Sequence, residues 1–297
     1  MAMLPYARPM ATHPRAATPV TPFSGEARPG FFGLILEGVG ELIGNYRLIL
    51  HLVRADLKRT HADTVIGQLW WIIDPFLQMA IYTLLVTVIF QKKIEDAPLF
   101  LFCTILPWKW FQTTLNDTVT SVTSRNSLIR QVKFPKIVLP TAATLAGAMS
   151  YVFGLVSLAA LYVLYSHRLT HWLITIPIIA FVEFVFMLSL AIFFSAANAF
   201  YRDIQNVLRH ILRLWFYASP TIYSMDQLQK SGVKDILSLN PFTIILESFR
   251  NVSYGAPLHP GAPDWAGLGG VLAVSLVLLA LSIFFFKRVE TSFAKIL

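Results

Sequence analysis

The chain has 297 residues, of which 56% are hydrophobic and 13% charged, whereas a soluble domain carries about 25% charge. With a mean hydropathy of +0.61 this composition selects an integral membrane protein. The net charge of +8 therefore does not describe the basic face of a polar nucleic-acid-binding domain. Cys103 is the single cysteine, which excludes an intramolecular disulfide framework and a multi-cysteine metal site.

Residues 1–36 open with six prolines (Pro5, Pro9, Pro14, Pro19, Pro22 and Pro29) and no apolar run long enough for a secretory signal. They are expected to form a disordered cytosolic tail. Over 37–66, Leu42, Tyr46, Ile49, Leu50, Val53 and Leu57 make one apolar stripe opposed by Glu41, Asn45, Arg47, Arg54 and Lys58, the pattern of an amphipathic helix at a membrane surface. The rest, 67–297, reads as a transmembrane domain.

A spanning helix needs about 20 mostly apolar residues. Candidates are Leu69–Phe90, interrupted by Asp74; Ala97–Val119, interrupted by Pro107 and Lys109; Val138–Tyr165; Trp172–Phe200, with Glu183 inside; and Trp265–Phe286. A sixth begins near Ile204 and is broken by Pro220. The segment 239–255 is apolar but short, holds Glu247 and Arg250, opens on Asn240-Pro241 and closes on Gly255. Its ends carry helix start and stop signals, and its length suits a re-entrant rather than a crossing element. The expected fold is an all-α membrane protein of six transmembrane helices, with an N-terminal interface helix and an outer re-entrant helical hairpin before the last span.

Placing the N-terminus in the cytosol puts 17 of the 24 Lys and Arg on the inner side, as the positive-inside rule requires. Both termini are then cytosolic, and "NSLIRQVKFPKIVLP", residues 126–140, becomes a cytosolic loop.

Chemical motifs are few. No G-x-x-x-x-G-K-[ST] occurs, so the chain has no P-loop for nucleotide phosphates. His167 and His171 are four apart but lack a third ligand and read as solvated loop residues, so no metal site is expected. Glu183 is either functional or a partner in a hydrogen bond across the bundle. Trp71, Trp108, Trp110, Trp215 and Tyr217 lie near span ends or breaks. They are either an interfacial aromatic belt or the lining of a passage on which sugar rings slide.

Three segments carry a family resemblance. "RADLKRTHADTVIGQLWWIIDP" (54–75), "LPWKWFQTTLNDTVTSVTSRNSLIRQVKFPKIVLP" (106–140) and "SPTIYSMDQL" with "LNPFTIILESFRNVSYG" (219–255) resemble, in order and spacing, permeases of the ABC-2 type that export O-antigen, teichoic acid or capsule. The resemblance implies a homodimer in the bacterial inner membrane. It implies two copies of a separate ATPase subunit, which bind ATP and Mg, so that this chain carries no cofactor and no catalytic residue. The cargo would be a lipid-linked polysaccharide, and membrane lipids rather than nucleic acid would surround the chain.

It further implies that the loop after the second span is a coupling helix seated on the ATPase. Asn126, Leu128, Arg130, Lys133, Phe134 and Pro135 belong to that surface, with Arg202 and Arg209 on the same side. Asn240, Pro241, Glu247 and Arg250 would belong to an outer gate. The alternatives are an ABC-2 permease for drugs or small lipids and a membrane-embedded glycosyl- or acyltransferase. The last needs an acid, base or nucleophile cluster, and the sequence offers none.

Overall fold

The computed structural model describes residues 30–60, 67–225, 233–255 and 261–296. Most of the Pro-rich tail lies outside the described residues. Among them every regular element is helical: α1 (Phe31–Gly44), α2 (Tyr46–Thr60), α3 (Trp70–Leu84), α4 (Ala97–Val119), α5 (Asn126–Gln131), α6 (Val138–Leu164), α7 (Ile176–Phe200), α8 (Ile204–Tyr217), α9 (Val233–Ser238), α10 (Pro241–Tyr254) and α11 (Trp265–Ile296). Residues 31–36, expected within the tail, are helical instead. Helix begins at Phe31, because "FFGLIL" supplies apolar side chains that pack on α11, with Phe31 4.7 Å from Phe284. The interface segment is two helices rather than one, meeting at Asn45, whose side chain folds back to donate to Glu41 O at 2.8 Å.

Four stretches are long and apolar enough to cross a membrane: Trp70–Ile89, Val138–Leu164, His171–Phe200 and Trp265–Phe293. The first runs through a π-helical turn, Leu85–Ile89, beyond α3. Each presents apolar side chains outward, such as Leu77 and Ile81 on α3, Val152 and Val156 on α6, Phe181 on α7 and Val277 on α11. Large exposed apolar patches are rare on soluble monomers, and here they form the lipid-facing side.

The six expected spans divide differently from one another. α4 measures about 34 Å at the helical rise, long enough to cross, yet it carries Lys109, Asp117 and several threonines. It tolerates them because it is the central helix: 17 of its 23 residues are buried, among α3, α6, α7, α8 and α10. Protein rather than lipid surrounds it, so it need not be apolar on all sides. α8, the expected sixth span, has 14 residues, about 21 Å, short of the roughly 30 Å hydrocarbon core.

α6 lies close against α4 because it is glycine there. A Cβ at Gly154 would meet Leu106 at 2.3 Å, and one at Gly147 would meet Thr114 at 2.1 Å. Small residues at such contacts let helix backbones approach in membrane proteins. α11 packs along α7, and α1 closes the far end of that pair.

Candidate functional site

One end of the bundle gathers α1, α2, α5 and the end of α11. α5 is a single short helix, with Arg130 Nε donating to Asn126 Oδ1 at 3.1 Å. Arg130 and Lys133 are exposed, Ile129 is buried, and Leu128 is half-buried. Phe134 packs on the cluster of Ile137, Leu139 and Phe286. Pro135 O accepts from Val138 N–H at 3.3 Å, setting the first turn toward α6. The next backbone amide, Lys136 N–H, donates to Glu290 Oε1 at 2.6 Å.

Glu290 joins a larger knot. Lys287 Nζ lies 2.7 Å from Glu41, 3.0 Å from Glu37 and 3.0 Å from Glu290. A lysine with a 7% exposed side chain is thus held by three carboxylates from α1 and α11. Burial is the largest influence on Glu41 and, with the neighbouring Glu290 and Glu37 carboxylates, pushes its carboxyl above the ordinary range against the opposing effect of Lys287. Nothing in the sequence signalled this knot, since its partners lie 246 residues apart.

Arg202 shares a cleft of about 250 Å³ with Thr123, Ser124, Asn198 and Gln205, beside the approach to α5. Gln205 N–H donates to Asn198 Oδ1 at 3.2 Å across that cleft. Arg209 is exposed further along α8 and does not line it.

The opposite end is stitched by ion pairs. Asp96 sits at φ +46° as the N-cap of α4, a left-handed conformation that Asp tolerates better than most residues. Its carboxylate accepts from Arg168 Nε at 2.8 Å and lies 2.8 Å from His167 Nε2. Partial burial acts to raise the Asp96 carboxyl, but the hydrogen bonds from Arg168 and His167 together outweigh it and hold it below the ordinary range. Arg168 is buried, pairs also with Glu95 at 3.0 Å and lies over the Tyr254 ring at 4.6 Å. Thr170 Oγ1 donates to Val252 O at 2.8 Å. His171 is exposed.

α10 is joined to this end. Asn240 accepts from Phe242 N–H at 3.0 Å as the N-cap, followed by Pro241, and Gly255 closes the helix at φ +62°. Asn240 Nδ2 also donates to Ser219 Oγ at 2.9 Å, and its Oδ1 accepts from Trp215 Nε1 at 3.0 Å. Arg250 is buried, donates to Glu247 at 2.8 Å and to the carbonyl of Pro220, and lies 4.3 Å from the Phe100 ring centroid. Ten of the 14 residues of α10 are buried, so this short helix is embedded in protein rather than lying on a surface.

The aromatic candidates separate. Trp108 is wholly buried against Phe111, Phe216 and Phe242 and is a core side chain. Trp215 is anchored to Asn240, and Tyr217 is exposed on α8. Trp71 and Trp110 border a cleft of about 520 Å³ between α2, α3, α4 and α6. Trp110 stacks on Tyr151 at 4.2 Å, and Trp71 lies 4.9 Å from Phe153. Lys109 and Asp74, the two charges that interrupt the first two predicted spans, form an ion pair at this cleft. Arg125 and Asp56 form a second.

Trp110 Nε1 and Tyr151 Oη are buried without a hydrogen-bond partner among the described residues, and such donors cost about 1–3 kcal/mol each. Both oxygens of Glu183 are buried without one too. The hydrogen bond across the bundle, one of the two readings of Glu183, is not made among the described residues. Among the described residues no group of three or more His, Cys, Asp and Glu is placed to hold a metal ion.

Lipid-facing helices around a polar central one, with a charged helical loop at one end and a short embedded helix at the other, define a multi-pass membrane domain of transport type. The chain belongs to the ABC-2 type transporter family, whose model matches residues 47–254, from α2 to the end of α10. It is 32% identical over 255 residues to the O-antigen export system permease protein RfbA of Myxococcus xanthus, covering 85% of this chain and 96% of that one. Two proteins of the same name from Klebsiella pneumoniae are 26% and 24% identical, each covering 85% of this chain and 95% of theirs.

Proposed function

We propose that the chain is the permease subunit of an ATP-driven exporter of lipid-linked polysaccharide, working as a homodimer with two copies of a separate ATPase in the bacterial inner membrane. The observation that carries this reading is the 32% identity to an O-antigen export permease over 85% of this chain and 96% of that one. In this reading the end bearing α1, α2 and α5 is cytosolic, and α4 and α8 complete six crossings together with the four apolar spans. α4 crosses inside a protein sheath. α8 crosses with the irregular turn that follows it, against a second copy of the chain.

Function follows from mechanical continuity. Arg130 and Lys133 are exposed on the α5 loop and meet the ATPase, while Phe134 and the Lys136–Glu290 hydrogen bond tie the same loop to α11. Displacement of α5 therefore moves the cytosolic ends of α6 and α11 together, since packed cores shift as units rather than deform continuously. At the outer end, α10 is held by buried groups at both termini and acts as a gate element that swings with α4. Non-spanning helix at membrane depth is tolerated when protein buries it, which is the setting of α10.

Purification tests the division of labour. The chain alone is expected to hydrolyse no ATP, and the complex with its partner ATPase subunit is expected to do so. Hydrolysis by the isolated chain would contradict the reading.

A further inference from the structure

The cleft of about 520 Å³ between α2, α3, α4 and α6 serves none of the roles above. Its lining on α4 runs from Thr120, at the cytosolic end in the exporter reading, inward to Leu106, about 21 Å at the helical rise. Mouth and floor differ in chemistry. Asp56, Arg59, Asp117 and Arg125 lie at the mouth, whereas Leu106, Ala146, Gly147 and Gly154 form an apolar floor further along α4 and α6. Polar groups at the membrane surface and apolar ones within follow the order of a lipid, headgroup first and chain behind.

The charges narrow the kind of lipid. Asp56, Asp74 and Asp117 face Arg59, Lys109 and Arg125 in the lining. Asp74 holds Lys109 and Asp56 holds Arg125. Arg59 and Asp117 remain, both exposed and neither in an ion pair among the described residues. Asp117 is also close enough to Asp56 for their charges to oppose, which favours a cation beside it. The free pair therefore suits an occupant with one positive group, one negative group and no net charge. An anionic carrier lipid lacks the positive group, and its charge would be opposed by both Asp117 and Asp56. The cleft is reached from the bilayer: the Asp74 side chain is 58% exposed. Next to Trp71 of the lining, Leu69 and Trp70 are exposed too, and tryptophan is common at headgroup depth.

We propose that this cleft binds the headgroup of a zwitterionic phospholipid with a primary amine, of the phosphatidylethanolamine class, from the cytosolic leaflet. Its phosphate pairs with Arg59, its ammonium with Asp117, and an acyl chain starts along the apolar floor. The two existing ion pairs stay intact, so binding displaces no partner. Seated there, the lipid packs α2 against α3, α4 and α6. The inference takes from the exporter reading only the placement of this end at the cytosolic surface, and the lipid is not the cargo.

The test uses the complex of this chain with its partner ATPase. It is reconstituted in nanodiscs of phosphatidylethanolamine, phosphatidylcholine and phosphatidylglycerol in equal parts, released into mild detergent, and read for retained lipid by native mass spectrometry. Phosphatidylethanolamine is expected to be retained over either competitor by on the order of tenfold, the effect of one charge-assisted hydrogen bond. The trimethylated amine of phosphatidylcholine cannot donate one, and phosphatidylglycerol has no cation. Arg59→Gln is expected to lower retention of all three. Asp117→Asn should remove the preference for phosphatidylethanolamine over phosphatidylcholine. Asp117→Lys should transfer the preference to phosphatidylglycerol, which a merely structural role of Asp117 would not produce. Melting temperature and gel filtration check that each variant assembles, and the wild-type selectivity is read without any variant.

Equal retention of the three lipids by the wild type, or retention of none, would overturn the proposal. So would an unchanged preference in an assembled Asp117→Lys or Asp117→Asn complex. Preferential retention of phosphatidylglycerol, or of an added lipid-linked glycan, would assign the cleft to an anionic lipid and overturn the zwitterionic site. Each of these results leaves the exporter reading intact, since that reading depends on surface glycan in cells lacking the chain.

Discussion

The Lys136 amide donates to Glu290 Oε1 at 2.6 Å, joining the loop that follows α5 to the end of α11 across 154 residues of chain. Through the other carboxylate oxygen, 3.0 Å from Lys287 Nζ, the same side chain reaches the knot that holds α1. One glutamate thus connects three elements that the chain visits far apart.

Glu290→Ala should therefore cost more than an ordinary surface change. It leaves a part-buried amide without its acceptor and Lys287 with one carboxylate fewer, for a loss of about 1–3 kcal/mol. Glu290→Gln keeps an acceptor for the amide and should recover part of that. Thermal unfolding of the detergent-solubilised complex reads both, and equal stability of all three proteins would contradict the linkage.

Arg250 should be among the least replaceable cations. It is 4% exposed, pairs with Glu247, donates to the Pro220 carbonyl and covers Phe100. Removing one partner of a buried pair costs about 3–5 kcal/mol, so Arg250→Ala should lower yield and melting temperature sharply. Arg250→Lys should rescue little, because a point charge does not replace a planar fork that serves several partners. A fully stable lysine variant would refute the fork argument.

The ion pairs around Asp96 make a pH prediction. The Asp96 carboxyl is held below its ordinary value, since the hydrogen bonds from Arg168 and His167 outweigh the opposing effect of burial. A depressed carboxylate contributes stability that is present above the unfolded pKa of about 3.9 and lost as pH falls through the lower folded value. Asp96→Asn should melt below the wild type at pH 7, and the gap should close as pH is lowered through that window. A gap that stays constant with pH would show that geometry rather than charge stabilises the turn.

Arg130→Glu combined with Lys133→Glu should abolish coupling while leaving the fold intact. Both side chains are exposed, and like charges opposed at an interface cost several kcal/mol. Co-purification of the ATPase should fall and the melting temperature of the permease should hold. Because these cations also weigh on topology, cysteine accessibility checks orientation first. Normal export by a correctly oriented variant would remove α5 from the coupling role.

Local patterns were legible and long-range ones were not. Asn240-Pro241 and Gly255 announced both ends of α10, and Glu247 and Arg250, three apart, form the ion pair that helical spacing allows. The four lipid-facing spans follow from their own hydropathy. α4 looked like the weakest of the early spans because its polarity was read as if lipid surrounded it, when other helices do. The first turns of α1, residues 31–36, were taken into the tail because prolines dominate the residues before them, although "FFGLIL" carried the signal. Trp108 could not be told from Trp110 by position, since which face of α4 borders the cleft depends on where α6 comes to rest. The Lys287 knot and the buried Arg168 needed partners distant in sequence, which no local period reveals.

The most direct test of the account is the location of lipid-linked glycan after the chain is depleted from cells that make it. Glycan is expected to leave the cell surface and accumulate on the cytosolic side of the inner membrane, with biosynthesis continuing and with recovery on re-expression of the chain. Undiminished surface glycan in depleted cells, with no cytosolic accumulation, would contradict the assignment of this chain as the export permease.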